Sequence, residues 1–362
     1  MQKALNLAKK AQGNTSPNPL VGAILVKNNK ILATGYHKKA GTDHAEIIAL
    51  KKAGTQAKGS SLYINLEPCC HFGKTPPCSR ALIDAEIKEV HIATLDPNPL
   101  VSGKGKTELE KAGIKVFVGE KQQEAQELNE IFFKYINSKM PFVIAKWGMS
   151  LDGKIATHTG ESKWITNETA RLEGRKLRTV CDAILVGVNT ILTDDPELTA
   201  RVEKKPPMKR TTVVVDSSGK TPLTAKIFKT INDVIIATTE KMSEKKQVAY
   251  TKLGATILKT KSKNGQVDLK SVLTQLGKMH ITSVLIEGGG ETIASAIEEN
   301  LVDKVHIFIG DKIIGGIDAR SPVGGLGFAK MKDVSLWNIE TFKKINGNIE
   351  IIAYPNYGKS KS

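Results

Sequence analysis

The chain has 362 residues, 40% hydrophobic and 25% charged, with a formal net charge of +16 at pH 7. That length exceeds what one core ordinarily serves and predicts two domains. The longest clear apolar run, Leu20 to Val26, is far too short to span a bilayer, and four cysteines exclude a disulfide framework. The N-terminal stretch MQKALNLAKKAQGN has helical period and no signal-peptide apolar core. A cytoplasmic protein with no membrane partner is therefore expected. The positive charge is spread along the chain: 20 Lys+Arg against 13 Asp+Glu up to residue 143, and 33 against 24 beyond it. Such a balance admits nucleic-acid binding. Aromatics make up only 5%, however, and none interleave with basic residues as a base-stacking platform would. A lysine-rich surface suited to phosphorylated substrates is the simpler reading, with no nucleic-acid partner.

In chain order, LVGAILV (20–26) reads as a buried strand, followed by a KNNK turn and a second strand, ILATGY (31–36). HAEIIALKKAG (44–54) has apolar residues at helical spacing and ends in glycine. A strand at 61–66, a helix at 79–86, a strand at 89–94, a helix at 105–113 and a strand at 114–119 follow. The alternation predicts a three-layer α/β/α sandwich. A helix, EAQELNEIFFKYINSK, then leads to Met140-Pro141, and the domain boundary is placed near residue 143, giving domains 1–143 and 144–362. After a strand at FVIAKWGMS, the second half again alternates. Apolar strand runs are read at 183–192, 210–218, 233–239, 255–260, 283–290 and 304–310, which predicts another mostly parallel α/β sheet. The final GKSKS (358–362) reads as a disordered tail.

Three of the four cysteines fall in NLEPCCHFGKTPPCS (65–79), and DHAEII (43–48) lies upstream. His44 and Glu46 stand two apart at the start of a predicted helix. Cys69 follows Pro68 after a strand, and Cys78 follows Pro77 before a helix. One imidazole and two thiolates make a zinc set with a fourth position open to water, and zinc held so makes hydroxide available near neutral pH. Glu46, not a ligand, is placed to carry the proton. This is the H-x-E…P-C pattern of zinc nucleobase deaminases. The spacing departs from the C-x-x-C of nucleic-acid and nucleoside deaminases, since Phe72 stands three residues after Cys69. Cys70 is read as a neighbour of the set. His71 and Lys74, in the insertion, would line a rim suited to a polar, phosphorylated small molecule.

HAE with LEPCCHFGKTPPC, preceded by SPNPLVGAILV, closely resembles the N-terminal domain of the bifunctional riboflavin-biosynthesis deaminase/reductase family. The resemblance implies a cytidine-deaminase-like fold. It also implies hydrolytic removal of the 2-amino group of 2,5-diamino-6-ribosylamino-4(3H)-pyrimidinone 5′-phosphate. His44, Cys69 and Cys78 would be the zinc ligands, Glu46 the proton shuttle, and Asn18, His71 and Lys74 substrate contacts.

In the second half, EGGGET (287–292) follows an apolar strand and precedes a helical run. Glycines at such a turn let backbone N–H groups approach a phosphate, although a plain tight turn reads equally well. Asp194-Asp195 is either a carboxylate pair for proton work or a helix cap. KWGMSLDGKIA, GESKWIT, ILVGVNTILTDDPELTAR, VVDSS and IEGGGET resemble, in order, the dihydrofolate-reductase-like pyrimidine reductase domain of the same family. That implies hydride transfer from NADPH to C1′ of the ribosyl group. Gly148, Trp164, Thr190, Asp194, Ser217 and the run Gly289, Gly290, Glu291, Thr292, Ile293, Ala294 and Ser295 would contact NADPH. Ser162, Arg178, Leu198, Arg201 and Glu287 would contact the substrate. Arg178 and Arg201 suit its phosphate, because a guanidinium binds phosphate bidentately. A homo-oligomer is expected. Two other readings stay open: a nucleic-acid-editing deaminase with an RNA-binding second domain, and a deaminase fused to a regulatory module.

Overall fold

The computed structural model describes residues 1–72, 76–201 and 206–357. Lys74 and the 358–362 tail lie outside these. The chain divides into two compact units, Met1–Met140 and Pro141–Ser362. Among the described residues no helix is long and apolar enough to cross a membrane.

The first unit contains helices α1 (Gln2–Ala8), α2 (Ala45–Ala53), α3 (Cys78–Asp84), α4 (Lys104–Lys111), α5 (Gln122–Leu128) and α6 (Glu130–Ser138). Its strands are β1 (Gly22–Lys27), β2 (Lys30–Tyr36), β3 (Ser61–Leu66), β4 (Glu89–Thr94) and β5 (Lys115–Val118), in sheet order β2-β1-β3-β4-β5. The β1–β2 and β1–β3 pairs are antiparallel, whereas β3–β4 and β4–β5 are parallel. One face of the sheet supplies Leu25, Leu62, Ile64, Val90 and Ile92 to a core closed by α2, α3 and α4. On the other, Ala93 meets Leu5 of α1 and Ala125 of α5. These are the three expected layers. Helix α2 turns alanines 45, 49 and 53 inward, a stripe at i, i+4, i+8. Small residues are needed on both sides of that contact, since a Cβ on Gly35 of β2 would stand 2.1 Å from the Ala45 carbonyl. The elements expected from β1 to β5 are each present within two residues of their expected ends. The single helix expected before Met140 is two, α5 and α6, separated at Asn129.

In the second unit, β6 (Phe142–Met149) is followed by α7 (Glu168–Val180), β7 (Ala183–Gly187), α8 (Val188–Asp194), β8 (Thr211–Val215), β9 (Asp233–Thr238), α9 (Glu244–Lys252) and β10 (Thr256–Lys259). A small ribbon of β11 (Ser262–Lys263) and β12 (Gln266–Val267) precedes α10 (Leu269–Lys278), β13 (Ser283–Glu287), α11 (Gly290–Glu298), β14 (Lys304–Ile309), β15 (Trp337–Ile345) and β16 (Asn348–Pro355). The nine-stranded sheet runs β10-β9-β8-β7-β13-β6-β14-β16-β15. It is parallel from β10 to β14 and antiparallel in its last two pairings. Phe142 and Val143, placed before the expected boundary, are the first residues of β6 and pair with Ser283 and Val284.

Two strand expectations need correction. The apolar run 183–192 is not one strand: β7 stops at Gly187 and α8 follows. Val188 and the buried Ile191 stand three apart, a helical spacing that so short an apolar run cannot separate from a strand. Likewise the run 283–290 ends as a strand at Glu287, and Gly288 and Gly289 turn with φ +102° and +83°. The hairpin β15–β16 lies outside the expected strands. Its turn is Asn346-Gly347, with φ 45° and 89°, a strong two-residue hairpin signal.

Candidate active sites

In the first unit, His44 is the residue before α2, Cys69 lies just beyond β3 and Cys78 opens α3. Three separate elements therefore aim their ends at one point. The His44 Nδ1 is 3.2 Å from the Cys78 Sγ and 3.6 Å from the Cys69 Sγ. The three donor atoms lie within 4.8 Å of one another, and among the described residues no other such group occurs. The Cys78 backbone N–H, at the start of α3, donates to the Cys69 sulfur at 3.4 Å, a helix N-terminus stabilising a thiolate. A hydrogen bond from the Cys78 thiol, with help from His44, holds the Cys69 thiol down at about 4. The same bond pushes the Cys78 thiol up. Of the two sulfurs, Cys69 is therefore the one that loses its proton more readily. Cys70 stands apart, its Sγ 3.8 Å from the Leu100 carbonyl.

Glu46, the second residue of α2, is buried; burial, and the neighbouring Cys69 thiolate, raise its carboxyl to about 7. Asn18 reaches this site through a residue that the sequence reading missed, His37. The buried His37 ring lies edge-on to His44 at 5.4 Å. Its Nδ1 faces the Asp43 carbonyl at 3.1 Å, so that nitrogen carries the proton. Its Nε2 then accepts from the Asn18 amide at 3.1 Å. The Asn18 segment is anchored by Asn65, fully buried on β3, which accepts from Gly22 N–H (2.7 Å) and donates to the Leu20 carbonyl (2.8 Å). The His71 Nδ1 is buried with no hydrogen-bond partner among the described residues.

In the second unit the half-buried Glu287, at the end of β13, is held by two cations. Its Oε1 accepts from the Lys146 Nζ of β6 at 2.9 Å, and its Oε2 from the Arg178 Nε of α7 at 2.6 Å. Burial raises a carboxyl, but Lys146 and Arg178 outweigh it and bring Glu287 to about 2. Gly174 lets α7 settle over Lys146, because a Cβ there would come within 2.9 Å of the Lys146 Cε. Lys146 was missed by the sequence reading. Its signal was a lysine in an otherwise apolar central strand, FVIAKWGM.

The other expected contacts are scattered more widely. Gly289 caps α11 without a side-chain acceptor, leaving that helix's first turn to backbone N–H groups. Thr190 stands against Gly288, where a Cβ would lie 3.3 Å from the Thr190 Oγ1. The side chains of Thr292, Ile293 and Ala294 are buried, and Ser295 is half-buried. The Glu291 Oε1 accepts from Gly325 N–H at 3.2 Å. Gly148 lies on β6 beside Thr166. Trp164 is 58% exposed, with the Arg171 guanidinium 4.2 Å from its ring centre. Ser162 is half-buried nearby in sequence. The Ser217 carbonyl accepts from the Thr239 Oγ1 at 2.9 Å. The Leu198 side chain belongs to the core. Arg201 is exposed and paired with Glu197 and the Thr199 hydroxyl. Asp194 ends α8 exposed, while Asp195 caps it and accepts from Lys226 N–H at 2.9 Å.

Residues 1–94 match the cytidine and deoxycytidylate deaminase zinc-binding region, and residues 141–343 the RibD C-terminal domain. The chain is 46% identical to riboflavin biosynthesis protein RibD of Aquifex aeolicus, over 92% of this chain and 91% of that protein. It is 40% identical to the Bacillus amyloliquefaciens protein of the same name, over 99% and 96%. Among solved structures, Acinetobacter baumannii RibD superposes with a TM-score of 0.85 at 33% identity, covering 98% of this chain and 97% of that one. A Thermotoga maritima structure described as a diaminohydroxyphosphoribosylaminopyrimidine deaminase and 5-amino-6-(5-phosphoribosylamino)uracil reductase gives 0.83 at 34%, with 98% and 97% covered.

Proposed function

This chain belongs to the RibD family of riboflavin-biosynthesis proteins, and from that membership we propose how its residues divide the work. It is a bifunctional deaminase and reductase acting on the pyrimidine intermediate of that pathway. The first unit carries out the deamination and the second the reduction. The substrate is the diaminopyrimidinone ribosyl phosphate, whose amino group is replaced by oxygen before its ribosyl C1′ is reduced.

The observation that carries this reading is the convergence of His44, Cys69 and Cys78 beside a buried carboxyl. One imidazole and two thiols fit zinc and leave a fourth position for water. Zinc held there would supply water activated at neutral pH, and NADPH in the second unit would supply the hydride. Glu46, with its carboxyl near neutrality, can both take the water's proton and give it to the departing ammonia. His37 fixes the Asn18 amide with its nitrogen turned inward to the ring, leaving the amide oxygen for the substrate. The unpartnered His71 nitrogen supports a substrate contact at the rim, and Lys74 is proposed beside it.

In the second unit, Lys146 and Arg178 outnumber Glu287 by one positive charge, which suits a phosphorylated substrate. Ser162, Leu198 and Arg201 are proposed to complete that pocket. The NADPH phosphates are proposed to meet the glycine turn at Gly289 and Gly290 and the first turn of α11. Gly148, Trp164, Thr190, Asp194 and Ser217 are proposed along the rest of the cofactor.

Mass spectrometry of products formed from the diaminopyrimidinone ribosyl phosphate, with and without NADPH, tests both assignments. The exchange of amino group for oxygen is expected without NADPH, and the gain of two hydrogens only with it. The first change alone would reduce the second unit to a regulatory module. Neither change from zinc-loaded protein would overturn the reading.

A further inference from the structure

Glu67 follows β3, two residues before Cys69, and is not part of the metal cluster. Its side chain is buried, and both carboxylate oxygens are bonded. The Oε2 accepts the backbone N–H groups of Asp96 (3.1 Å) and Gly103 (2.9 Å), and the Oε1 accepts that of Lys106 (3.0 Å). Helix α4 has no capping side chain of its own, because the residue before it is a left-handed glycine, Gly103. Glu67 therefore caps α4 from the end of a different element. The fit is close: a Cβ on Gly105 would stand 2.1 Å from the Pro68 carbonyl and 3.2 Å from the Glu67 Oε1.

The segment pinned in this way, 95–103, leaves the C-terminal end of β4, next to the end of β3 that carries Cys69. Ligands of open α/β sheets sit beyond such strand ends. The segment reaches Cys70, the chain neighbour of the ligand Cys69: the Leu100 carbonyl is 3.8 Å from the Cys70 Sγ. Leu95 and Leu100 show their side chains to solvent there. The metal ligands also hold one another without α4: the Cys69 carbonyl accepts the Ser79 N–H of α3 at 3.1 Å, and the Cys69 Sγ accepts the Cys78 N–H at 3.4 Å.

We propose that Glu67 is a positioning residue for deamination: it sets segment 95–103 as a substrate-facing wall of the site without supporting the metal ligands. This rests on the deaminase reading of the first unit. Glutamine at 67 keeps one acceptor oxygen but turns an NH2 group toward backbone donors, so at least one of the three bonds is lost. The wall then loosens while His44, Cys69 and Cys78 stay in place.

The test compares zinc-loaded full-length protein with Glu67→Gln and with Lys106→Pro. The second variant deletes the amide that the Glu67 Oε1 accepts, in a first helical turn where proline is tolerated. It also removes the surface ion pair of Lys106 with Glu110 and restricts the backbone of Gly105. Deaminase KM and kcat, zinc content and reductase activity are measured on each. Glu67→Gln is expected to raise KM about tenfold or more. The expected kcat stays within about threefold of the parent, with zinc content and reduction unchanged. Lys106→Pro is expected to raise KM in the same direction by less. An unchanged KM, or loss of zinc from folded Glu67→Gln, overturns the proposal. If Glu67→Gln does not fold, an unchanged KM in Lys106→Pro overturns it equally. Absence of deamination in the parent protein would instead overturn the deaminase reading itself.

Discussion

In the first unit, His44, Cys69 and Cys78 crowd electron-rich donors together with Glu46 and no lysine or arginine among them. In the second, the half-buried Glu287 is held between Lys146 and Arg178, each within 3 Å. The first cluster is electrostatically incomplete and calls for a cation from outside the chain. The second carries its own counter-ions and keeps one positive charge in excess. The two sites should therefore respond differently to loss of a carboxylate, to chelation and to acid.

The largest separation is expected from Glu46→Gln. It should lower deamination about 10²–10⁴-fold, the usual contribution of a positioned acid–base group. Zinc content and reduction of pre-deaminated substrate should not change. Loss of reduction as well would break the separation of the two sites. Chelation should give the same asymmetry, with deamination lost and reduction kept, measured on the two half-reactions of one preparation.

Glu287→Ala removes the partner of two largely enclosed cations, Lys146 and Arg178. It is expected to destabilise the second unit by about 3–5 kcal/mol, as breaking buried ion pairs does. Denaturant unfolding followed by a second-unit probe would measure it, and a change below about 1 kcal/mol would mean that water already screens the pair. Acid should act on the same group. The folded carboxyl lies at about 2 and its ordinary value is 4.5. Its stabilisation is therefore complete above 4.5 and lost as pH falls from there through about 2. Roughly 3 kcal/mol is at stake, and Glu287→Gln should remove that part of the pH dependence. The smallest effect is the sharpest on ligand choice: Cys78→Ser should lower zinc content, whereas Cys70→Ser should leave it unchanged. The reverse in metal analysis would move the third ligand to Cys70.

The same contrast explains what was legible beforehand. His44, Glu46, Cys69 and Cys78 sit at three element ends inside 35 residues, and rare residue types at short spacing are conspicuous in any sequence. Most elements were equally plain, because alternating apolar runs and glycine stops are local signals. Where local signals compete, the reading failed: the run 183–192 passes for one strand, yet from Val188 on it is helix, with Ile191 packed into the core. The Asn-Gly turn of the C-terminal hairpin was a local signal left unused.

Composition and motif by themselves determined the two-domain α/β plan and picked out the candidate metal ligands and the candidate proton carrier, since these depend on residue identity at short range. Tertiary structure alone decided that Lys146 and Arg178 share Glu287, that His37 orients Asn18, and that Glu67 caps a helix whose cap residue lies 36 positions further on. Each of these is a hydrogen bond between elements distant in sequence. Its existence depends on which strands lie side by side, and that order is set by packing of the whole sheet.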